Sequence, residues 1–124
     1  MVYGYLRVSS DKQDVNSQKQ GVEAFAKAKG WEIEKYISDE GISGGTDPDR
    51  RKLGPMLKKL QKGDIVICGE ISRLGRDLYM VMDVLHFCMT KGVVIYTVKD
   101  GFVLGEDIQS KVLAFAFGLS AEIE

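Results

Sequence analysis

Short runs rich in β-branched and aromatic residues alternate with segments whose apolar residues recur at helical spacing, and no other feature constrains the chain as much. Residues 2–8 (VYGYLRV) predict a first strand, closed by the polar stretch that opens at Ser9. From Val15 to Lys29, Val22, Phe25, Ala26 and Ala28 form an apolar helical face, with Gly30 as its stop. A second strand is predicted from Glu32 to Ser38. Residues 39–51 (DEGISGGTDPDRR) are glycine- and proline-rich without periodicity and predict an exposed loop. Leu53, Met56, Leu57 and Leu60 mark a short helix ending near Gly63, and residues 64–71 (DIVICGEI) a strand covered on both faces. A helix from Leu78 to Lys91, stopped by Gly92, leads into a further strand at residues 93–98 (VVIYTV). This order predicts an α/β fold with a mainly parallel, four- to five-stranded sheet flanked by helices. Ligands of such a sheet gather at the carboxyl ends of its strands.

A chain of 124 residues with 44% hydrophobic content is long enough for one domain with a core and too short for two, so residues 1–124 are read as a single domain. The net charge of -1 argues against a nucleic-acid binder held by bulk electrostatics. Distribution says more than the sum. Lysines are scattered, whereas arginine occurs only as Arg7, the pair Arg50 and Arg51, and the pair Arg73 and Arg76. Guanidinium groups fork onto phosphate oxygens, so clusters in a neutral domain suggest a focused anion site; surface ion pairs are the plainer account.

Cys68 and Cys88 lack metal or disulfide spacing and are expected to be buried, reduced thiols in a cytoplasmic protein. No apolar stretch is long enough to span a bilayer, and no charged leader precedes a long apolar run. From Asp107 to Glu124 the helical pattern returns through Val112, Leu113, Phe115, Ala116 and Leu119 with almost no polar face. Such a helix is either a core helix or an oligomer surface, and its uncapped stop at AEIE suggests that it is the start of a longer one.

Arg7 and Ser9 lie two apart at a strand end, so both side chains project to one face and can meet one ligand. A serine beside a fixed arginine suits attack on a phosphate, although a helix N-cap would also explain the serine. The segment SRLGRD sets Arg73 and Arg76 three apart after another strand, where they can converge on the same phosphate as Arg7. Arg50 could close over that site from the loop, or stay exposed.

The motifs Y-x-R-V-S at Tyr5 to Ser9, a loose S-x-Q at Asn16 to Gln18, D-x-x-x-S at Asp39 to Ser43 and R-L-G-R at Arg73 to Arg76 occur in this order. Together they resemble the serine recombinases, the resolvase and invertase family, from Tyr3 to Glu124. The resemblance implies a resolvase-like catalytic domain in which Ser9 attacks the scissile phosphate and is joined to the 5′ end of the broken strand. Arg7, Arg73, Arg76 and Arg50 match the arginines that bind and activate that phosphate. Gln13 and Gln18 match polar residues near the nucleophile, Tyr5 a nearby strand residue, and Asp39 and Ser43 the motif after the second strand. Phe115, Leu119 and Glu124 fall on the helix that carries the dimer interface. The implied function is site-specific DNA recombination of the resolvase, invertase or integrase type. It needs no cofactor and no ATP, because the phosphoserine bond retains the energy for rejoining. The implied partners are DNA and further copies of the chain, as a dimer and, at synapsis, a tetramer, in the bacterial nucleoid.

Two departures stand out. Relatives often carry D-R-L-G-R, whereas this chain has Ser72 before Arg73, so a carboxylate that could orient an arginine is missing there. Relatives also continue beyond Glu124 into a separate DNA-binding domain, so this stretch is expected to lack most sequence-specific DNA affinity. The single histidine, His86, sits in a helical pattern where a structural role is expected, and no metal-type carboxylate cluster is present. The competing reading is a non-catalytic α/β phosphate- or nucleotide-binding module with Ser9 as a helix cap, although neither G-x-G-x-x-G nor G-x-x-x-x-G-K-[ST] occurs.

Overall fold

Side chains alternate along the central strand and so divide the core into two layers. The computed structural model describes residues 1–8, 12–40, 52–75, 78–99, 101 and 103–105, the side chains of Val8, residues 12–14, Glu40 and Leu78 excepted. Strands β1 (Val2–Val8), β2 (Lys35–Glu40), β3 (Ile65–Cys68), β4 (Val94–Thr97) and β5 (Val103–Leu104) form one sheet in the order β2-β1-β3-β4-β5. The first four pair in parallel, and β5 runs antiparallel to β4. The described helices are α1 (Lys12–Ala28), α2 (Leu53–Lys59) and α3 (Leu78–Lys91), with a 3-10 turn at Ile71–Arg73.

Leu6 of β1 packs with Val22 and Ala26 of α1 and Ile67 of β3 on one face. Tyr5 packs with Leu53, Val66, Ile71 and Leu85 on the other, under α2 and α3. Both faces are covered, which is why β3 reads as an unbroken apolar run. Burial of each such side chain contributes about 1.5–3 kcal/mol. Gly92, at φ 73, turns the chain out of α3 in a conformation that a side chain resists.

The mainly parallel α/β sheet matches the expected class, and three boundaries move. Helix α1 begins at Lys12, ahead of the apolar periodicity that starts at Val15, because polar residues fill its first turn. Strand β2 starts at Lys35 and runs to Glu40. Trp31, just ahead of the predicted start at Glu32, lies edge-on to Tyr96, 5.2 Å between ring centroids, and packs under α1. Asp39 and Glu40 therefore belong to the sheet and not to the predicted loop. Strand β3 ends at Cys68, and Ile71 opens the 3-10 turn. The rest of the predicted loop and the terminal helical pattern lie outside the described residues.

Both cysteines are buried and outside any disulfide. His86 lies on the exposed face of α3 and takes no place in the core. Among the described residues no helix is long and apolar enough to cross a membrane.

Candidate active site

Strand β1 is followed in sequence by β2 on one side and flanked by β3 on the other, so the sheet order reverses between β1 and β3. The carboxyl ends of two such strands leave a crevice between their outgoing connections. The register pairs Tyr5 with Cys68 on β3 and Arg7 with Asp39 on β2, and Arg7 stands at the mouth of this crevice.

Arg7 and the 3-10 turn hold each other. The Arg7 Nη2 donates to the Ser72 carbonyl at 3.0 Å, and Arg73 Nη1 donates to the Arg7 carbonyl at 3.0 Å. Gln18 Nε2, from α1, donates to the same Arg7 oxygen at 3.2 Å. One backbone oxygen thus accepts from two side chains, using both of its lone pairs. The arrangement joins β1, α1 and the turn after β3 at one point. Each guanidinium carries five donors in one planar group, a geometry suited to forking onto phosphate oxygens. Both groups are half-buried, where an ionic hydrogen bond gains strength over its value in water.

Arg73 has a further partner, since its Nη2 lies 3.3 Å from Glu70 Oε1. Glu70 Oε2 lies 3.9 Å from Lys99 Nζ, just past β4. Gln18, Gly69, Glu70, Arg73 and Lys99 line an open depression of about 250 Å³. A larger groove of about 440 Å³ runs between β2 and α2, floored by Tyr3, Ile37 and Met56. None of the candidate site residues named from the sequence lines it, whereas Gln18 and Arg73 line the smaller depression.

Tyr5 and Asp39 occupy the interior behind Arg7. Tyr5 is 0% and Asp39 4% exposed. The Tyr5 hydroxyl donates to Asp39 Oδ2 at 2.8 Å, and the Lys52 amide donates to Asp39 Oδ1 at 2.9 Å. They brace the strand ends and stand back from the open surface. The structure brings together Arg7, Arg73 and Gln18, with Tyr5 and Asp39 behind them. Ser9, Ser43, Arg50 and Arg76 lie outside the described residues, as do Phe115, Leu119 and Glu124, and of Gln13 only the backbone in α1 is described.

Glu70 and Lys99 were missed by sequence reasoning. The i,i+3 spacing of Glu70 and Arg73 is a usable signal only once a helical turn is known there. Gly75 also gains a reason: a Cβ on it would lie 2.5 Å from the Met80 Cβ, so only glycine lets R-L-G-R pass this close to α3. Among the described residues no cluster of three or more His, Cys, Asp or Glu side chains could hold a metal ion.

Comparison with known proteins agrees with the fold and identifies the family. The family model for the resolvase N-terminal domain matches residues 2–124. A resolvase from Clostridium perfringens is 32% identical over 100 residues, covering 81% of this chain and 50% of that protein. The serine recombinase gin of Escherichia phage Mu is 28% identical over 127 residues, covering 100% of this chain and 60% of that protein. The chain thus spans little more than half the length of the curated relatives it matches. The crystal structure of a resolvase family site-specific recombinase from Streptococcus pneumoniae superposes with a TM-score of 0.73 at 26% identity, covering 98% of this chain and 87% of that one.

Proposed function

This chain belongs to the resolvase N-terminal domain family, and on that premise we propose that it is the catalytic part of a site-specific DNA recombinase that cuts and rejoins DNA through Ser9. The observation that supports this most directly is the clasp at the end of β1, where Arg7, two residues before Ser9 in the chain, is held against Arg73. In this reading the Ser9 Oγ attacks the scissile phosphorus and gives up its proton. The bond from phosphorus to the 3′ oxygen breaks, that oxygen leaves as a hydroxyl, and the 5′ phosphate stays on the serine as a phosphodiester. Rejoining is the reverse step with a 3′ hydroxyl of the new partner strand, so no high-energy cofactor enters.

Arg7 and Arg73, joined by Arg76 and Arg50, neutralise the phosphate oxygens as negative charge builds on them. Each donor of this kind lowers the barrier by on the order of 3 kcal/mol. Gln18 holds the Arg7 carbonyl, and in this reading Gln13 serves the nucleophile and Ser43 the contact with the DNA backbone. Tyr5 and Asp39 act from behind as a brace. Residues 1–124 form the catalytic domain, and a separate region of the full-length protein supplies site-specific DNA affinity. Phe115, Leu119 and Glu124 contribute to an interface between copies, dimeric at rest and tetrameric at synapsis, in the nucleoid. A non-covalent phosphate-binding module is not favoured, since the family match runs through the whole chain.

The test uses the full-length protein and an end-labelled duplex carrying the site that this protein selects from a randomised pool, quenched in denaturant. A covalent adduct on the 5′ end with wild type and none with Ser9→Ala is expected. A duplex that is bound but yields no Ser9-dependent adduct would replace this reading with the binding module.

A further inference from the structure

Glu70 is an unexpected neighbour for a phosphate-binding arginine. A carboxylate near an anion site repels the ligand, so charge alone argues against it there. Its geometry argues for another role. Arg73 is anchored by its Nη1 on the Arg7 carbonyl, 3.0 Å away, and by its Nη2 beside Glu70 Oε1, 3.3 Å away. A guanidinium is planar and rigid, so two anchors on two different nitrogens define the orientation of the whole group, where one would leave it free to swing. The second oxygen of Glu70 faces Lys99 at 3.9 Å, and the Lys99 amide donates to the Gly69 carbonyl at 2.8 Å. The carboxylate is thereby shared between two cations, and Glu70, Arg73 and Lys99 together remain net positive. Repulsion of a phosphate is offset while the orienting contact is kept. Ser72 cannot do this work with a side-chain charge, and its carbonyl is already taken by Arg7.

We propose that Glu70 is a positioning residue: its carboxylate, shared with Lys99, fixes the Arg73 guanidinium against the Arg7 carbonyl so that the remaining donors are set for the phosphate before DNA arrives. The assignment of Arg73 to a phosphate rests on the function proposed above, whereas the fixing of its side chain does not.

The discriminating variant is Glu70→Gln, which keeps the shape and removes the charge. Electrostatics alone predicts tighter DNA binding and cleavage at or above the wild-type rate. Positioning predicts DNA affinity equal to or tighter than wild type, with cleavage at saturating duplex slowed by about 10-fold or more, the size expected when a reacting group is misaligned. Cleavage at the wild-type rate would overturn the assignment. So would a parallel loss of affinity, rate and thermal midpoint, which marks a merely structural role. A second readout needs no DNA: 15N spectra of the arginine side chains. Slow rotation and separate Nη signals for Arg73 in wild type, averaged in Glu70→Gln, support the proposal even if no adduct ever forms, in which case only the recombinase reading falls. Equal averaging in both proteins removes Glu70 from the role, whatever the activity.

Discussion

The Tyr5 hydroxyl donates to Asp39 Oδ2 at 2.8 Å, from one strand to its parallel neighbour, inside the core. With the Lys52 amide on the other carboxylate oxygen, Asp39 ties β1 and β2 to the residue that opens α2. Tyr5→Phe removes one donor and leaves the buried carboxylate short of a partner, at an expected loss of about 1–3 kcal/mol in urea denaturation. Asp39→Ala strands both donors and should lose more. A Tyr5→Phe loss within measurement error would mean that the pair does not brace the strands.

Arg7→Lys keeps the positive charge but loses the planar fork that reaches the Ser72 carbonyl. The rate of 5′ adduct formation is expected to fall by about 100-fold or more, the scale of one lost oxyanion donor. Unfolding should shift little, because the Arg7 carbonyl still receives Gln18 and Arg73. A lysine variant that cleaves at the wild-type rate would show that charge alone suffices.

Gly75→Ala places a methyl group 2.5 Å from the Met80 Cβ, with the Met80 and Val81 backbone 3.3 Å away. Such overpacking costs about 1–3 kcal/mol. Thermal unfolding of the variant should show a lowered midpoint; an unchanged one would mean that the start of α3 yields freely.

Lys91, in the last turn of α3, turns its ammonium onto the end of α2, donating to the carbonyls of Leu57 at 3.4 Å, Leu60 at 3.1 Å and Lys58. Those of Lys58 and Leu60 are among the carbonyls that a helix end leaves without intrahelical partners, while that of Leu57 also accepts the Leu60 amide at 3.3 Å. Lys91→Met keeps the stem and loses the cap, for an expected loss of about 1 kcal/mol, read by chemical denaturation. The contact also accounts for a lysine so near the core, since its stem packs while its head is satisfied.

Cys88 sits in the apolar cluster under α3, and burial pushes its thiol up to about 12. The unfolded chain loses that proton at lower pH than the folded one, so this thiol's share of stability is complete below about pH 9 and declines from there toward 12. A thiol-specific reagent at pH 8 should label Cys88 only as fast as the protein opens. Rapid labelling of native protein would show that the cluster is open.

Much of the architecture was legible because apolar periodicity carries it. Val22 and Ala26 on α1, and Val66, Ile67 and Cys68 on β3, stand where their spacing put them. Strand β2 was placed too early because Ile33 looks like a strand residue, yet it serves the α1 layer from outside the sheet. The convergence of Arg7 and Arg73 could be inferred from a parallel sheet. Their mutual grip could not, because its acceptors are backbone carbonyls that no residue type announces. Glu70 escaped for a related reason: its value depends on a three-residue turn too short to leave a periodic trace.

The oxygen that anchors Gln18 and Arg73 belongs to the peptide bond of residue 7, and no substitution can delete it. Side chains around it can be exchanged one at a time while the mooring persists. On the function proposed above, a catalytically silent variant of this domain can therefore keep its strand ends in place, which makes loss of chemistry and loss of architecture separable outcomes in its evolution.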